Sequence, residues 1–136
     1  MNKFPRILEA KMGLAGFYND NLPDFLTPPA VPDGYSHGYQ AYVCLFRSKK
    51  QSSLKKQNEE RNSMMSALEK EGISTRQGTH AVHALGYYKR KYGIAGTDLP
   101  NSLKAEYLSI ALPLYMGMSR AEQEHIIGRI KEICAG

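Results

Sequence analysis

The twelve residues GISTRQGTHAVH, residues 72–83, combine one arginine, two histidines and three hydroxyl side chains. Arg76 can bind a phosphate or a carboxylate through two parallel N–H groups. Thr79 adds a hydroxyl, and the imidazoles of His80 and His83 can form hydrogen bonds or bind a metal ion. From the residues alone, this stretch is an ordinary connecting loop, a two-histidine metal site or a phosphate contact.

A metal site at the two histidines requires ligands from elsewhere in the chain. His80 and His83 are three residues apart, which can place both imidazoles on one side of a helical turn, but a structural zinc site has about four ligands. Further ligands could come only through the tertiary fold, from Cys44, Cys134, His37 and His125. Nothing in the sequence brings them together, so we expect ordinary hydrogen-bonded histidines and no metal.

The two cysteines are expected to be reduced thiols. Cys44 lies in an apolar run, and Cys134 lies near the C-terminus. A nearby histidine could lower the pKa of the Cys44 thiol and make it a nucleophile, but the apolar surroundings favour a buried, unreactive side chain. Two free cysteines, without an apolar segment suited to a signal peptide or a membrane span, predict a cytoplasmic protein.

Two basic segments make nucleic-acid binding the best non-enzymatic hypothesis. Residues 49–56 are KKQSSLKK, and residues 87–93 are YYKRKYG. Their cations could contact phosphates and their tyrosines could stack on bases. In the alternative interpretation, the lysine-rich segment is a solvated loop and the tyrosines pack a short helix. No glycine-rich phosphate loop or RNA-binding signature accompanies them.

The first third of the sequence predicts a helix, a connector and a strand. Apolar residues recur three or four positions apart over residues 5–22, as in an amphipathic helix, and Pro5 suits its first turn. Residues 23–38 hold four prolines and a Pro-Asp-Gly turn, so we expect an extended connector without a helix. Residues 39–46, YQAYVCLF, are apolar on both alternating faces, which predicts a strand covered on each side.

The middle of the sequence predicts a second helix between two short irregular segments. Residues 47–56 are polar and are expected to form a solvated loop. A helix is predicted over residues 57–71, and Gly72 is placed to adopt the left-handed conformation that closes it. Residues 73–75 favour a short strand, and residues 84–93 favour a short helix.

The next two elements are a helix and a strand. Thr97 or Asp98 is expected to cap the helix, with Pro100 in its first turn. Residues 109–115, SIALPLY, are almost wholly apolar and predict a final buried strand.

The last helix has the clearest local signal in the sequence. Ser119 and Glu122 have the spacing of a capping box, and one apolar stripe follows: Ile126, Ile127, Ile130 and Ile133. We expect this stripe to pack on the sheet. Strands and helices alternate without a repeated period, so the predicted fold class is α+β, an α/β two-layer sandwich.

The composition is that of one globular domain. The chain has 136 residues, 42% hydrophobic and 23% charged, which suffices for a modest core. Its net charge of +5 slightly favours acidic partners such as phosphates or nucleic acid, although plain soluble surfaces often carry such a charge.

Six landmarks along the chain, taken in order, are similar to those of one known family. They are EKEGI (69–73), the loop with His80 and His83, the pair Tyr87 and Tyr88, DLP (98–100), LPLY (112–115) and SRAEQEHII (119–127). HGYQAYVCLF (37–46) and RILEAKMGLAGFYNDNL (6–22) match a strand and a helix that precede them in the same family. Together they resemble the C-terminal part of the DegT/StrS family of sugar aminotransferases.

The resemblance implies a fold and an activity. The fold is the small C-terminal domain of the aspartate-aminotransferase-like PLP transferases, with residues 1–22 as a helix leading into it and residues 23–136 as the domain itself. Family members are pyridoxal-phosphate (PLP) enzymes, usually homodimers. They move an amino group from a glutamate-like donor to a keto-sugar nucleotide, in the biosynthesis of polysaccharide or antibiotic sugars.

The resemblance also implies what this chain lacks and what it contributes. The Schiff-base lysine, the aspartate at the pyridinium nitrogen and most phosphate ligands belong to the family's large PLP-binding domain, which we expect to be absent, so the chain alone should neither bind PLP nor transaminate. Its loop faces the substrate cleft in family members, which makes Arg76, Thr79, His80 and His83 the expected substrate-binding residues. A surface ion pair for Arg76 and a bracing role for one histidine are the alternatives. A small basic nucleic-acid-binding or interaction domain is the alternative function.

Overall fold

The computed structural model describes residues 3–49 and 52–134. Within them, the α-helices occupy Lys3–Asn21 (α1), Leu54–Lys70 (α2), Gly86–Tyr92 (α3), Pro100–Leu108 (α4) and Arg120–Ile133 (α5). The strands occupy Leu26–Thr27 (β1), Tyr42–Phe46 (β2) and Ser109–Leu112 (β3), and a short 3₁₀ turn occupies Val82–Ala84.

The strands form one antiparallel sheet in the order β1-β2-β3. Tyr42 lies opposite Leu112 and Cys44 opposite Ile110 in the β2–β3 pair. These side chains share one face of the sheet because alternate residues of a strand point to the same side. All four are buried, so this face forms the floor of the core.

Helices α1, α2 and α5 supply the other layer of the core. Ala15 and Tyr18 are the buried residues of α1, and the Tyr18 ring lies 4.9 Å from the ring of Tyr42. The same cluster holds Met64 and Leu68 of α2 and the buried isoleucines of α5. A helical layer on a sheet confirms the predicted α+β class.

Helix α1 matches the prediction in position but only half of it reaches the core. Its first turns leave Phe4 70% and Met12 42% exposed, so the predicted apolar stripe is buried only from Ala15 onward. No described helix is long and apolar enough to cross a membrane.

The structure differs from the prediction in the bounds and coverage of β2, and it adds a short strand to the connector. The strand begins at Tyr42, not at Tyr39, and its second face is only partly covered, with Leu45 38% exposed. The prediction that both faces are covered is therefore wrong. The connector contains no helix, as predicted, but it includes β1, which pairs with β2 through Leu26 opposite Phe46.

Helix α2 begins earlier than its sequence pattern predicts. Ser53 caps it by accepting a hydrogen bond from the Lys56 backbone N–H, so the end of the polar segment predicted as loop is already helical. Lys50 and Gln51, which belong to that segment, lie outside the described residues. The helix ends as predicted, with Gly72 at φ +77°.

The short strand predicted at residues 73–75 is not formed. Arg76 instead makes an isolated antiparallel bridge with Ala111 of β3. Helix α4 begins at Pro100, but Leu99 occupies its cap position without a side-chain bond. Asp98, one of the predicted caps, accepts the Ala95 backbone N–H instead.

The last two elements largely follow the prediction. β3 starts at Ser109 but stops at Leu112, because Pro113 has no N–H to continue the ladder. In α5 the Ser119–Glu122 capping box is present with both of its bonds. Ile126, Ile127 and Ile130 are buried, as the apolar stripe predicts.

Helix α3 forms within its predicted range, and its tyrosines are exposed. It has no buried residue, and its main contacts are with the 3₁₀ turn just before it. Tyr87, Tyr88 and Tyr92 are exposed and contact one another, with the rings of Tyr88 and Tyr92 stacked at 6.2 Å. The expectation that these tyrosines pack a short helix is met only by contacts among their own rings.

Candidate functional site

The loop over residues 72–83 runs from the end of α2 along the free edge of β3. The Arg76 N–H donates to the Ala111 carbonyl at 3.2 Å, and the Ala111 N–H donates back at 2.7 Å. Paired residues of an antiparallel bridge place their side chains on the same face. Arg76 therefore lies on the face of the sheet opposite to the core.

Arg76 lines an open cleft between this loop and the start of α5. The cleft also includes Tyr115, Glu122 and His125, over an apolar floor that contains Pro113 and Leu114. No described side chain forms an ion pair with Arg76, so its guanidinium is available to an anionic ligand. Within residues 3–49 and 52–134, the surface ion pair considered for Arg76 is not formed.

Both acidic side chains that line the cleft, Glu71 and Glu122, are already engaged by hydrogen bonds within the chain. Tyr115 donates a hydrogen bond to Glu122 at 2.6 Å, and Ser119 donates two more from its N–H and its hydroxyl. These bonds, that of Tyr115 first, lower the pKa of Glu122 from its ordinary 4.5 to about 2. The carboxylate is therefore committed to the α5 cap, and Arg76 is the cationic group left for a ligand.

The middle of the loop is pressed against the sheet at Gly78. A Cβ at this position would overlap Cγ1 of Val43 and lie 3.0 Å from Cβ of Ser109. The backbone N–H groups of Gly78 and Thr79 both donate to the Ser109 hydroxyl, at 3.1 and 3.2 Å. Only a residue without a side chain permits this close approach.

A second side chain binds the loop two residues later. The Ala81 N–H donates to the Glu106 carboxylate at 2.9 Å. Buried Arg61 of α2 fixes the end of α4 that carries Glu106, since its Nε donates to the Tyr107 carbonyl at 3.1 Å. Asn58 donates to the same carbonyl at 2.7 Å.

His80 is exposed and has a defined hydrogen-bonding state. The Gln77 side-chain nitrogen lies 2.8 Å from the Thr79 carbonyl and 3.1 Å from Nδ1 of His80. The carbonyl can only accept, so the amide nitrogen faces both groups and Nδ1 of the imidazole accepts. In a neutral imidazole the proton is then on Nε2. His80 thus offers a donor suited to a phosphate or hydroxyl oxygen.

His83 has a different environment from His80. It is 6% exposed, and its Nε2 lies 3.1 Å from the Gly96 carbonyl. A carbonyl accepts, so Nε2 donates and ties the 3₁₀ turn to the connection before α4. The structure therefore separates the predicted residues: Arg76, Thr79 and His80 are exposed, whereas His83 braces the loop.

The other chemical hypotheses find no geometry to support them. Burial raises the pKa of the Cys44 thiol to about 12, and its Sγ contacts the Ile110 carbonyl, so Cys44 is no nucleophile. Within residues 3–49 and 52–134, no three His, Cys, Asp or Glu side chains cluster in a way that could hold a metal ion. His37 instead accepts the Tyr39 N–H at its Nδ1.

Sequence reasoning missed the residues that hold the loop. Ser109 and Glu106 contact it from positions 25 to 31 residues further along the sequence, and Arg61 lies more than 40 residues before its partners in α4. One signal was available, because Ser109 is a polar residue at the head of an apolar strand and is 1% exposed. Buried hydroxyls normally have a hydrogen-bond partner.

Comparison with known proteins identifies the group to which this arrangement belongs. The model of the DegT/DnrJ/EryC1/StrS aminotransferase family matches residues 1–131. The spore coat polysaccharide biosynthesis protein SpsC of Bacillus subtilis is 30% identical over 127 residues, which are 90% of this chain and 31% of SpsC. The chain thus spans about a third of the length of this curated relative.

Solved structures show the same fold. A DegT DnrJ EryC1 StrS aminotransferase from Brucella abortus is 25% identical, with a TM-score of 0.75 over 95% of this chain and 31% of its own. The PLP form of the sugar aminotransferase Spr1654 from Streptococcus pneumoniae, described as putative, is 23% identical, with a TM-score of 0.81 over 97% of this chain and 32% of its own. From the family match and this fold, the chain belongs to the DegT/DnrJ/EryC1/StrS aminotransferase family.

Proposed function

We propose that this chain forms the small C-terminal domain, residues 23–136 entered through a helix at 1–22, of a PLP-dependent aminotransferase that acts on keto-sugar nucleotides. In this proposal the amino donor is glutamate-like, the enzyme is a cytoplasmic homodimer, and the catalytic lysine comes from a large domain outside this chain. The chain contributes one wall of the substrate cleft.

One observation carries the proposal. In a chain of this family, the loop at residues 72–83 exposes Arg76, Thr79 and His80 while its backbone is bound to the sheet and to α4. A fixed backbone with free cationic and hydrogen-bonding side chains suits recognition of a phosphorylated, hydroxyl-rich ligand. Arg76 would bind a diphosphate or carboxylate, and the Nε2 proton of His80 would meet a phosphate or sugar oxygen.

The residues of this chain do not by themselves fit PLP. The cofactor supplies the electron sink for transamination and needs a lysine amine in an enclosed pocket, near an acid that faces the pyridine nitrogen. Each lysine in the described part of the chain is exposed or half-buried. This supports a division of labour in which the cofactor is held elsewhere, and we assign no catalytic residue to this chain.

The nucleic-acid alternative gains no support from α3. The Nζ of Lys91 lies 5.5 Å from the ring centre of Tyr87 and 5.2 Å from that of Tyr92. One face of each ring is thus occupied by a cation from the same helix, which leaves less room for bases to stack. We therefore propose only the aminotransferase function.

The division between two domains makes a prediction about the gene. We expect the reading frame upstream of Met1 to encode a large domain that contains a lysine in a serine-rich motif. Sequencing the genomic region directly upstream tests this. An in-frame stop immediately before Met1, with no such domain encoded nearby, would contradict the proposal and favour an independent domain.

The substrate-binding role of Arg76 makes a kinetic prediction. In the enzyme completed by its large domain, Arg76→Ala should lower kcat/KM about 10- to 100-fold, because a charge-assisted hydrogen bond to an anion is lost. Steady-state kinetics with both substrates would show which one is affected. The control is Arg47→Ala, at an exposed arginine that follows β2 and donates a hydrogen bond to Thr27 of β1. Unchanged kinetics in Arg76→Ala with both substrates would remove the proposed role.

A further inference from the structure

Beyond the backbone bridge at Arg76, the loop is held by side chains of other elements. The N–H groups of Gly78 and Thr79 donate to the Ser109 hydroxyl, and the N–H of Ala81 donates to the Glu106 carboxylate. In a loop that only connects two elements, such groups face water. Here they are bound on both sides of His80.

Both acceptors come from one junction, where α4 ends and β3 begins. Glu106 lies in the last turn of α4, and Ser109 is the first residue of β3. Arg61 fixes this junction from α2, with its Nε 3.1 Å from the Tyr107 carbonyl and its Nη2 3.5 Å from the Glu106 carbonyl. The two acceptors therefore keep a fixed separation.

The burial pattern follows the two attachment points. Ser109 is buried and Ala81 is fully buried, whereas Thr79 and His80 between them are exposed. The backbone thus lies against the sheet at Gly78, moves away from it over Thr79 and His80, and is buried again at Ala81. This path turns the two intermediate side chains outward.

We propose that Ser109 and Glu106 are positioning residues, which bind the loop backbone on either side of Thr79 and His80 and so preorganise these two side chains for the substrate. The inference rests on the proposed function for its biological meaning, since it names which residues shape that site. Whether Ser109 and Glu106 hold the loop can be tested on this chain alone. A loop ordered in advance loses less conformational entropy on binding a ligand.

Amide hydrogen exchange of the ¹⁵N-labelled chain, followed residue by residue with NMR, tests whether these two side chains hold the loop. Ser109→Ala should raise the exchange of the Gly78 and Thr79 amides about tenfold, because a hydrogen bond of ordinary strength is lost. Glu106→Ala should do the same for Ala81. Glu106→Gln keeps an oxygen acceptor and should restore most of the protection.

Two comparisons separate positioning from a general loss of stability. Ser102→Ala makes the same chemical change on α4, at a residue that no hydrogen bond among the described residues joins to the loop, and should leave all three amides unchanged. The amides of Ile110 and Leu112, which lie opposite Cys44 and Tyr42 in the β2–β3 ladder, report the sheet. Unchanged exchange at Gly78 and Thr79 in Ser109→Ala, or an equal rise throughout the chain, would overturn the proposal.

Kinetics in the completed enzyme test the connection to the substrate. Ser109→Ala and Glu106→Ala should raise KM for the sugar nucleotide about tenfold while kcat changes less, because the loop orders only when substrate binds. Glu106→Gln should lie near the wild type. Selective amide exchange together with unaltered KM would refute the link to the substrate. If Arg76→Ala also left the kinetics unchanged, the substrate-binding role of the loop would fail, whereas no turnover of a keto-sugar nucleotide by the completed enzyme would contradict the proposed function itself.

Discussion

Gly78→Ala should destabilise the folded chain by about 2 kcal/mol, the usual range for forcing an extra carbon into a packed position. The new methyl group would overlap Cγ1 of Val43 and press on Cβ of Ser109. The loop must then move away from the sheet, and both hydrogen bonds to the Ser109 hydroxyl would lengthen. Urea denaturation followed by circular dichroism measures the change in the free energy of unfolding.

Two variants sharpen this experiment. Val43→Ala removes the overlapping carbon, so the double variant Val43→Ala with Gly78→Ala should recover part of the loss, seen as a favourable coupling energy. Gly128→Ala places a methyl group inside α5 with no atom within 4 Å and should stabilise the chain by about 0.5–1 kcal/mol. If Gly78→Ala behaved like Gly128→Ala, the close packing of the loop on β2 and β3 would be wrong.

Arg61→Met should destabilise the chain by about 3 kcal/mol, which is typical when one partner of a buried charged network is removed. Arg61 is 2% exposed and donates to two carbonyls at the end of α4. Methionine fills a similar volume but leaves these carbonyls and the nearby Glu106 carboxylate without the cation. Urea denaturation again gives the magnitude.

The controls for this variant separate hydrogen bonding from charge. Arg61→Lys keeps the positive charge but loses the planar, multiply donating group, so its stability should lie between those of Arg61→Met and the wild type. Arg6→Met, at an exposed position on α1, should change stability by less than about 0.5 kcal/mol. Equal effects at positions 6 and 61 would show that the α2–α4 contact is not a stabilising one.

Elements with local signals were predicted best. The Ser119–Glu122 box and the isoleucines after it need only neighbours within α5, and the structure confirms both. The start of α2 was predicted too late because Ser53 caps it from inside a polar run that also resembles a loop. β1 was missed for a different reason, since two residues form a strand only when β2 is there to pair with them.

The sequence predicted most of the side chains exposed at the candidate site, but not the residues that hold its loop in place. The residue types of the loop indicated that Arg76, Thr79 and His80 could meet a ligand, and all three are exposed. The inward orientation of His83 depends on the Gly96 carbonyl, which no spacing rule locates. The residues that fix the loop, Ser109 and Glu106, act from another part of the sequence, so only the fold brings them to it.

The uncovered helix α3 has a consequence for how cooperatively the chain unfolds. A helix as short as Gly86–Tyr92 is not stable in water on its own, because too few hydrogen bonds offset the cost of starting it. With no buried residue, it gains little from the core either. It should open in a local fluctuation of low free energy, while α2 and α5 open only when the whole domain unfolds. The chain is therefore two thermodynamic units: a cooperative sandwich, and a tyrosine-rich segment whose order depends on what covers it.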